Sequence, residues 1–172
     1  MLIRMFILFY FISIAFLSAH SNKKKTLKSH EHGVGILKIA QDDKFILFEF
    51  EIPGFDIVGF EYEAKDAESK KKVKNALSIL SDYKNMIKPS GSAECKEIES
   101  SSKVINEGNH SEFLSSYKFN CNKISDLKII YIKYFKSFAN SKKLNIKVFG
   151  DKKKSAYVIS KSKKILNVKE HF

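Results

Sequence analysis

The sequence predicts an α+β domain in which one main amphipathic helix packs on a largely antiparallel sheet. Three observations carry this. Alternating or continuous apolar runs recur at 35–40, 44–52, 113–121 and 144–148, the patterns of half-buried and core strands. One stretch, 66–83, switches to helical spacing. The chain has 172 residues, 44% of them hydrophobic, enough for one modest core and a single domain.

The first 21 residues read as a secretory signal peptide. Arg4 gives a short basic start, Met5 to Leu17 is almost wholly apolar, and the small residues Ser18, Ala19 and Ser21 follow. Cleavage is expected after Ala19 or after Ser21. The apolar core is too short for a comfortable membrane span, and no later run approaches one. No stable membrane insertion is therefore expected after cleavage. Residues 22–29, with Lys23, Lys24, Lys25 and Lys28, have no apolar period and read as a flexible lysine-rich leader.

Residues 30–170 read as the folded domain. Gly35 to Ala40 is a first strand, Gln41-Asp42-Asp43 a turn, and Lys44 to Ile52 a second strand, close enough for a hairpin. Ile46, Phe48, Phe50 and Ile52 line one face. Pro53-Gly54 stops that strand, and Val58-Gly59-Phe60 is a short apolar link. Asp66 is a suitable N-cap for a helix whose stripe is Val73, Ala76, Leu77, Leu80 and Tyr83, with lysines opposite.

Pro89, Ser90 and Gly91 make a turn before a strand over Cys95 to Ile98, and Glu99 to Asn109 reads as a polar passage. Phe113, Tyr117, Phe119 and Cys121 then share a strand face. Leu127 to Phe135 reads as an apolar strand with a helical turn at Lys136 to Asn140. Leu144, Ile146 and Val148 form the next strand, Gly150-Asp151 turns it, and Ala156 to Ile159 pairs back. Ile165 to Val168 is a last short strand. Phe48, Phe50, Phe119 and Phe135 are expected in the core.

Arg4 is the only arginine and lies in the signal segment, which leaves 30 lysines against 19 acids, a formal +11. Nucleic-acid recognition usually uses arginine for bidentate phosphate and base contacts, so this composition argues against it. A solvated lysine surface with weak attraction to polyanions fits better. Cys95 and Cys121 are the only cysteines, and an even count in an exported chain favours one disulfide. The alternative is a soft thiolate metal site.

Catalysis finds little support: there is no Gly-x-Ser-x-Gly elbow, no phosphate-cradling glycine loop and no His-Glu-x-x-His. Metal binding has more. His30 and His32 lie two residues apart at the mouth of the first strand, and on an extended backbone they would share a face, roughly 6.5 Å apart. Neutral imidazole is a good zinc or copper ligand. His110 opens the Phe113 strand, with Glu112 two residues on. Spacing alone favours solvated loop histidines over a site.

His30-Glu31-His32-Gly33-Val34, Pro53, and Val58-Gly59-Phe60-Glu61 together resemble the opening of the ZrgA-type zinc-uptake proteins. The likeness continues through the helix ending near Leu80, Pro89, Cys95, His110-x-x-Phe113, Tyr117 and Cys121, to the apolar runs 127–135 and 144–149. The resemblance implies a periplasmic protein of Gram-negative bacteria that binds Zn2+ and assists its uptake, holding or delivering the ion to an ABC-type importer without catalysing a reaction. It implies His30, His32 and His110 as ligands, Glu31 and Glu112 as oxygen ligands or orienting partners, and a Cys95–Cys121 disulfide.

Two departures matter. The family commonly has a histidine where this chain has Tyr62, and many members carry a histidine-rich tract where this chain has Glu99 to Asn109, without histidine. Both imply fewer sites. The rival expectation is an exported, metal-free interaction module that keeps the scaffold and uses its lysine-rich surface for an anionic partner.

Overall fold

The computed structural model describes residues 31–172. The signal peptide, the leader and His30 lie outside the described residues. The expected α+β architecture is present. A six-stranded sheet has the order β4-β5-β2-β1-β7-β8, formed by Cys95–Glu107, His110–Cys121, Phe45–Pro53, Val34–Asp42, Lys143–Phe149 and Lys154–Ser160. All its pairings are antiparallel except β1 with β7. A smaller sheet joins β3 (Ile87–Pro89), β6 (Ile129–Ile132) and β9 (Ile165–Asn167).

Strict alternation makes the large sheet two-faced. Leu37 and Ile39, Ile46 to Ile52 at every second position, Phe113, Tyr117 and Phe119, and Leu144 to Val148 turn to one side and are buried. On that side they form one core with Ala76 and Leu80 of the main helix, α2 (Ala67–Ser81), and with Ile87, Ile130, Ile132 and Leu166 of the small sheet. Phe48, Phe50, Phe119 and Phe135 are all in it. A disulfide joins Cys95 to Cys121, paired residues of β4 and β5. The thiolate metal alternative is thereby ruled out.

Helix α2 starts as expected, with the Asp66 carboxylate accepting from Ser69 N–H at 2.9 Å. Its C-terminal carbonyls are met from the sheet: Ser102 Oγ donates to Leu77 O at 3.1 Å, Ser100 Oγ to Ser81 O at 2.7 Å, and the buried Tyr117 hydroxyl to Leu80 O. These bonds satisfy carbonyls that a helix end leaves without partners.

Three expectations are corrected. Glu99 to Asn109 is no loose passage: β4 runs to Glu107 and forms a long hairpin with β5 through Gly108 and Asn109, Gly108 at φ +59. Its inward positions Ser100, Ser102 and Val104 mostly lack apolar character because they face the helix end. The Leu127–Phe135 strand shrinks to Ile129–Ile132, since Tyr134 and Phe135 are both buried and consecutive strand residues cannot face one side. The helical turn follows at Tyr134–Lys136, earlier than expected. Lastly, β1 begins at Val34, so His32 sits in a turn and not on extended backbone.

Among the described residues no helix is long and apolar enough to cross a membrane.

Candidate metal centre

Three chain segments meet beside the start of β1. The first is the turn before it. Gly33 adopts φ +86, a conformation costly for any residue with a Cβ. Its N–H donates to Asp56 Oδ1 at 2.6 Å, and its carbonyl accepts from the Lys142 and Lys143 N–H groups at 2.8 and 2.9 Å. Asp56, on the one-turn helix α1 (Gly54–Val58), is 1% exposed and also accepts from Ser141 Oγ at 3.4 Å. Ser141 in turn bonds the Tyr134 hydroxyl. Burial pushes that phenol well above its ordinary pKa, so it stays protonated. A buried polar chain thus fixes the residue next to His32. The His32 ring itself stacks on Phe55 of α1, with centroids 4.7 Å and planes 13° apart.

The second segment is the loop after α1. Gly59, at φ +84, ends that helix in a left-handed cap. Phe60 and Tyr62 then stack on each other at 4.5 Å, with Glu61 between them in the chain. The third segment is the Gly108–Asn109 turn, which delivers His110 as the first residue of β5.

Glu61 joins the other two. Its Oε1 lies 3.1 Å from His32 Nε2 and its Oε2 lies 2.9 Å from His110 Nδ1. An ionised carboxylate only accepts, so each ring nitrogen facing it carries a proton. The Glu61 side chain is only 12% exposed, whereas His32 and His110 are 53% and 63% exposed. The rings are therefore open to solution and the carboxylate sits beneath them.

Two imidazoles and one carboxylate are donors that suit zinc. Here they share protons at hydrogen-bond distances. Among the described residues no group of three or more His, Cys, Asp or Glu side chains is set to hold a metal ion.

The structure brings together two of the sequence-derived candidates, His32 and His110. Glu31 is exposed and pairs with Lys143 at 3.7 Å. Glu112 is half-buried on β5, in register with Pro53 and Ile105. Among the described residues, a carboxylate that meets both His32 and His110 is Glu61, which sequence reasoning quoted in a motif but did not nominate. Neither its spacing from His32 nor that from His110 marks it. The Gly108–Asn109 pair, a two-residue hairpin signal, was the readable clue to where β5 and His110 begin. Tyr62 is 54% exposed at this loop. His171 is 2% exposed, with its ring between Val168 O at 3.3 Å and the Tyr157 hydroxyl at 3.1 Å, which makes it a structural residue.

A sequence model of the ZrgA family zinc uptake protein matches residues 29–168 of the chain. No curated protein sequence matches it significantly.

Proposed function

This chain belongs to the ZrgA family of zinc uptake proteins, and from that premise we propose that it binds one zinc ion at the His32–Glu61–His110 cluster, with His30 as a further ligand. In this reading the protein is exported by residues 1–21 to the periplasm of a Gram-negative bacterium. There it holds zinc for an ABC-type importer and catalyses nothing. The observation that carries the site is Glu61 bridging two histidines from distant segments.

Zinc would take the place of the protons now shared between rings and carboxylate, because metal and proton compete for the same lone pairs. Exposed rings over a half-buried carboxylate suit an ion that must be both captured and passed on. Tyr62, where the family commonly has a histidine, and the histidine-free stretch 99–109 favour a single site over several.

Calorimetric titration of chelator-stripped protein with zinc tests this, beside the His32→Ala/His110→Ala double variant. The expected result is saturable binding near one ion per chain that is lost in the variant. Binding unchanged in the variant would sink the site.

One observation favours the metal-free rival. Lys88, Lys133, Lys136 and Lys164 surround a shallow pocket with Tyr131 and the exposed Ile165, a surface suited to an anionic partner. Zinc-independent binding to anionic vesicles that collapses with salt would support it.

A further inference from the structure

Among the described residues the two sheets end in four edge strands, and three of them are blunted against pairing with another chain. β3 and β9 are three residues long, and β3 ends in Pro89. β4 carries a bulge at Ile98, where its register with β5 slips between Glu97 and Glu99. The Ser100 and Ser102 hydroxyls of β4 are also tied to the end of α2.

The fourth edge, β8, has none of these devices. Its seven residues keep unbroken register with β7, from Lys154 opposite Phe149 to Ser160 opposite Lys143. Between Lys154 and Ser160 there is no charge, no proline and no glycine. An edge strand turns alternate N–H and C=O groups away from its one neighbour. Among the described residues, the backbone of Ser155 to Ile159 bonds to nothing beyond β7. Ala156 and Val158 are exposed on the sheet face away from the core, Val158 to 59%.

Charge decides what this edge accepts. Lys152, Lys153 and Lys154 at one end, and Lys161, Lys163 and Lys164 at the other, are all exposed. Asp151 adjoins the first group, and Glu170 pairs with Lys153 at 2.6 Å. The Lys152 and Lys161 ammonium groups donate to the carbonyls of Phe172 and Ala139. A second copy laid antiparallel on β8 would bring its own 161–164 lysines beside 152–154, so like charges would meet at both ends.

We infer that β8 accepts an added strand from another protein, an extended segment with β-branched residues at its centre and acidic residues at both ends. Backbone hydrogen bonds supply the affinity, Ala156 and Val158 contact the central side chains, and the flanking lysines hold the acidic ends. The docking is independent of zinc.

The probe is a fluorescein-labelled peptide, Asp-Glu-Thr-Val-Thr-Val-Thr-Glu-Asp, titrated by anisotropy in chelator-treated buffer. Saturable binding is expected. The same peptide with its central amides N-methylated keeps its charge but cannot pair, and should bind at least roughly tenfold more weakly. Val158→Glu sets a charge at the centre of the edge and should weaken the parent peptide about tenfold. Lys154→Ala/Lys163→Ala should weaken it about fivefold and flatten its salt dependence. Lys103→Glu, on the blunted β4 edge, should leave binding unchanged. All four positions are exposed, so the variants should fold. Equal binding of the N-methylated peptide would reduce the effect to attraction by lysines and overturn the assignment. So would the absence of saturable binding up to millimolar concentration. A dimer in sedimentation velocity that Val158→Glu dissolves would give the edge to a second copy and overturn it as well.

Discussion

His110 Nδ1 lies 2.9 Å from Glu61 Oε2 across 49 residues of chain, and the other oxygen of the same carboxylate is held by His32. Whether Glu61 enters the coordination sphere or orients the rings from behind it, removing its charge should weaken zinc binding. Glu61→Gln is expected to cost ten- to a hundredfold in zinc affinity. Isothermal calorimetry reads the change, and an unaltered affinity would exclude Glu61 from the site.

Asp56 acts on the same site from inside the protein. Its carboxylate takes the Gly33 N–H and the Ser141 hydroxyl, both away from water. Asp56→Ala leaves these donors unpaired and is expected to destabilise the fold by about 2–3 kcal/mol. It also frees the turn beside His32. Denaturant titration and zinc calorimetry on the variant should therefore both report losses, whereas a purely structural role would lower stability alone.

Tyr117→Phe should separate stability from binding. The variant leaves the Leu80 carbonyl unbonded between α2 and β5, an expected loss of about 1–2 kcal/mol. Tyr117 does not touch the histidine cluster, so zinc affinity of the folded protein should not move. A coincident drop in zinc affinity would mean that the helix and the site are coupled through the sheet.

The helix start supplies a pH test. Hydrogen bonds from the Ser69 hydroxyl, and then from its N–H, hold the Asp66 carboxyl below its ordinary 3.8. A carboxyl lowered by folding stabilises the native state fully above the unfolded value, and that contribution disappears as pH falls through the native one. Asp66→Asn keeps a capping side chain but cannot ionise. The melting temperature of the parent should exceed that of the variant at neutral pH, and the gap should close in strong acid. A gap constant with pH would assign the effect to cap geometry alone.

Most strands and the main helix were legible because their signals are local. Phe113 to Cys121 alternates, so β5 could be read in isolation, and Asp66 ahead of an apolar stripe at helical spacing marks a helix start without reference to anything distant. Reading failed where a partner overrides the pattern. Ser100 and Ser102 look like loop residues until the end of α2 is placed over them and their hydroxyls meet its carbonyls. Tyr134 and Phe135 look like strand residues until the core takes both.

The resemblance to the ZrgA family nominated His30, His32 and His110, while the chain's own periodicities and cysteine count determined the α+β class, the hairpin over 35–52, the helix from Asp66 and the favoured Cys95–Cys121 bridge. Those are properties of neighbouring residues or of residue types that do little else. Tertiary structure decided that Glu61 bridges His32 and His110. Glu31, Glu61 and Glu112 are chemically alike, and sequence proximity favoured the first and last. Glu31 is drawn to Lys143, Glu112 is fixed in register within the sheet, and the Gly59 cap turns Glu61 beneath both rings. Which side chains meet depends on strand register and loop direction set by packing across the whole domain, and no local pattern encodes that distance.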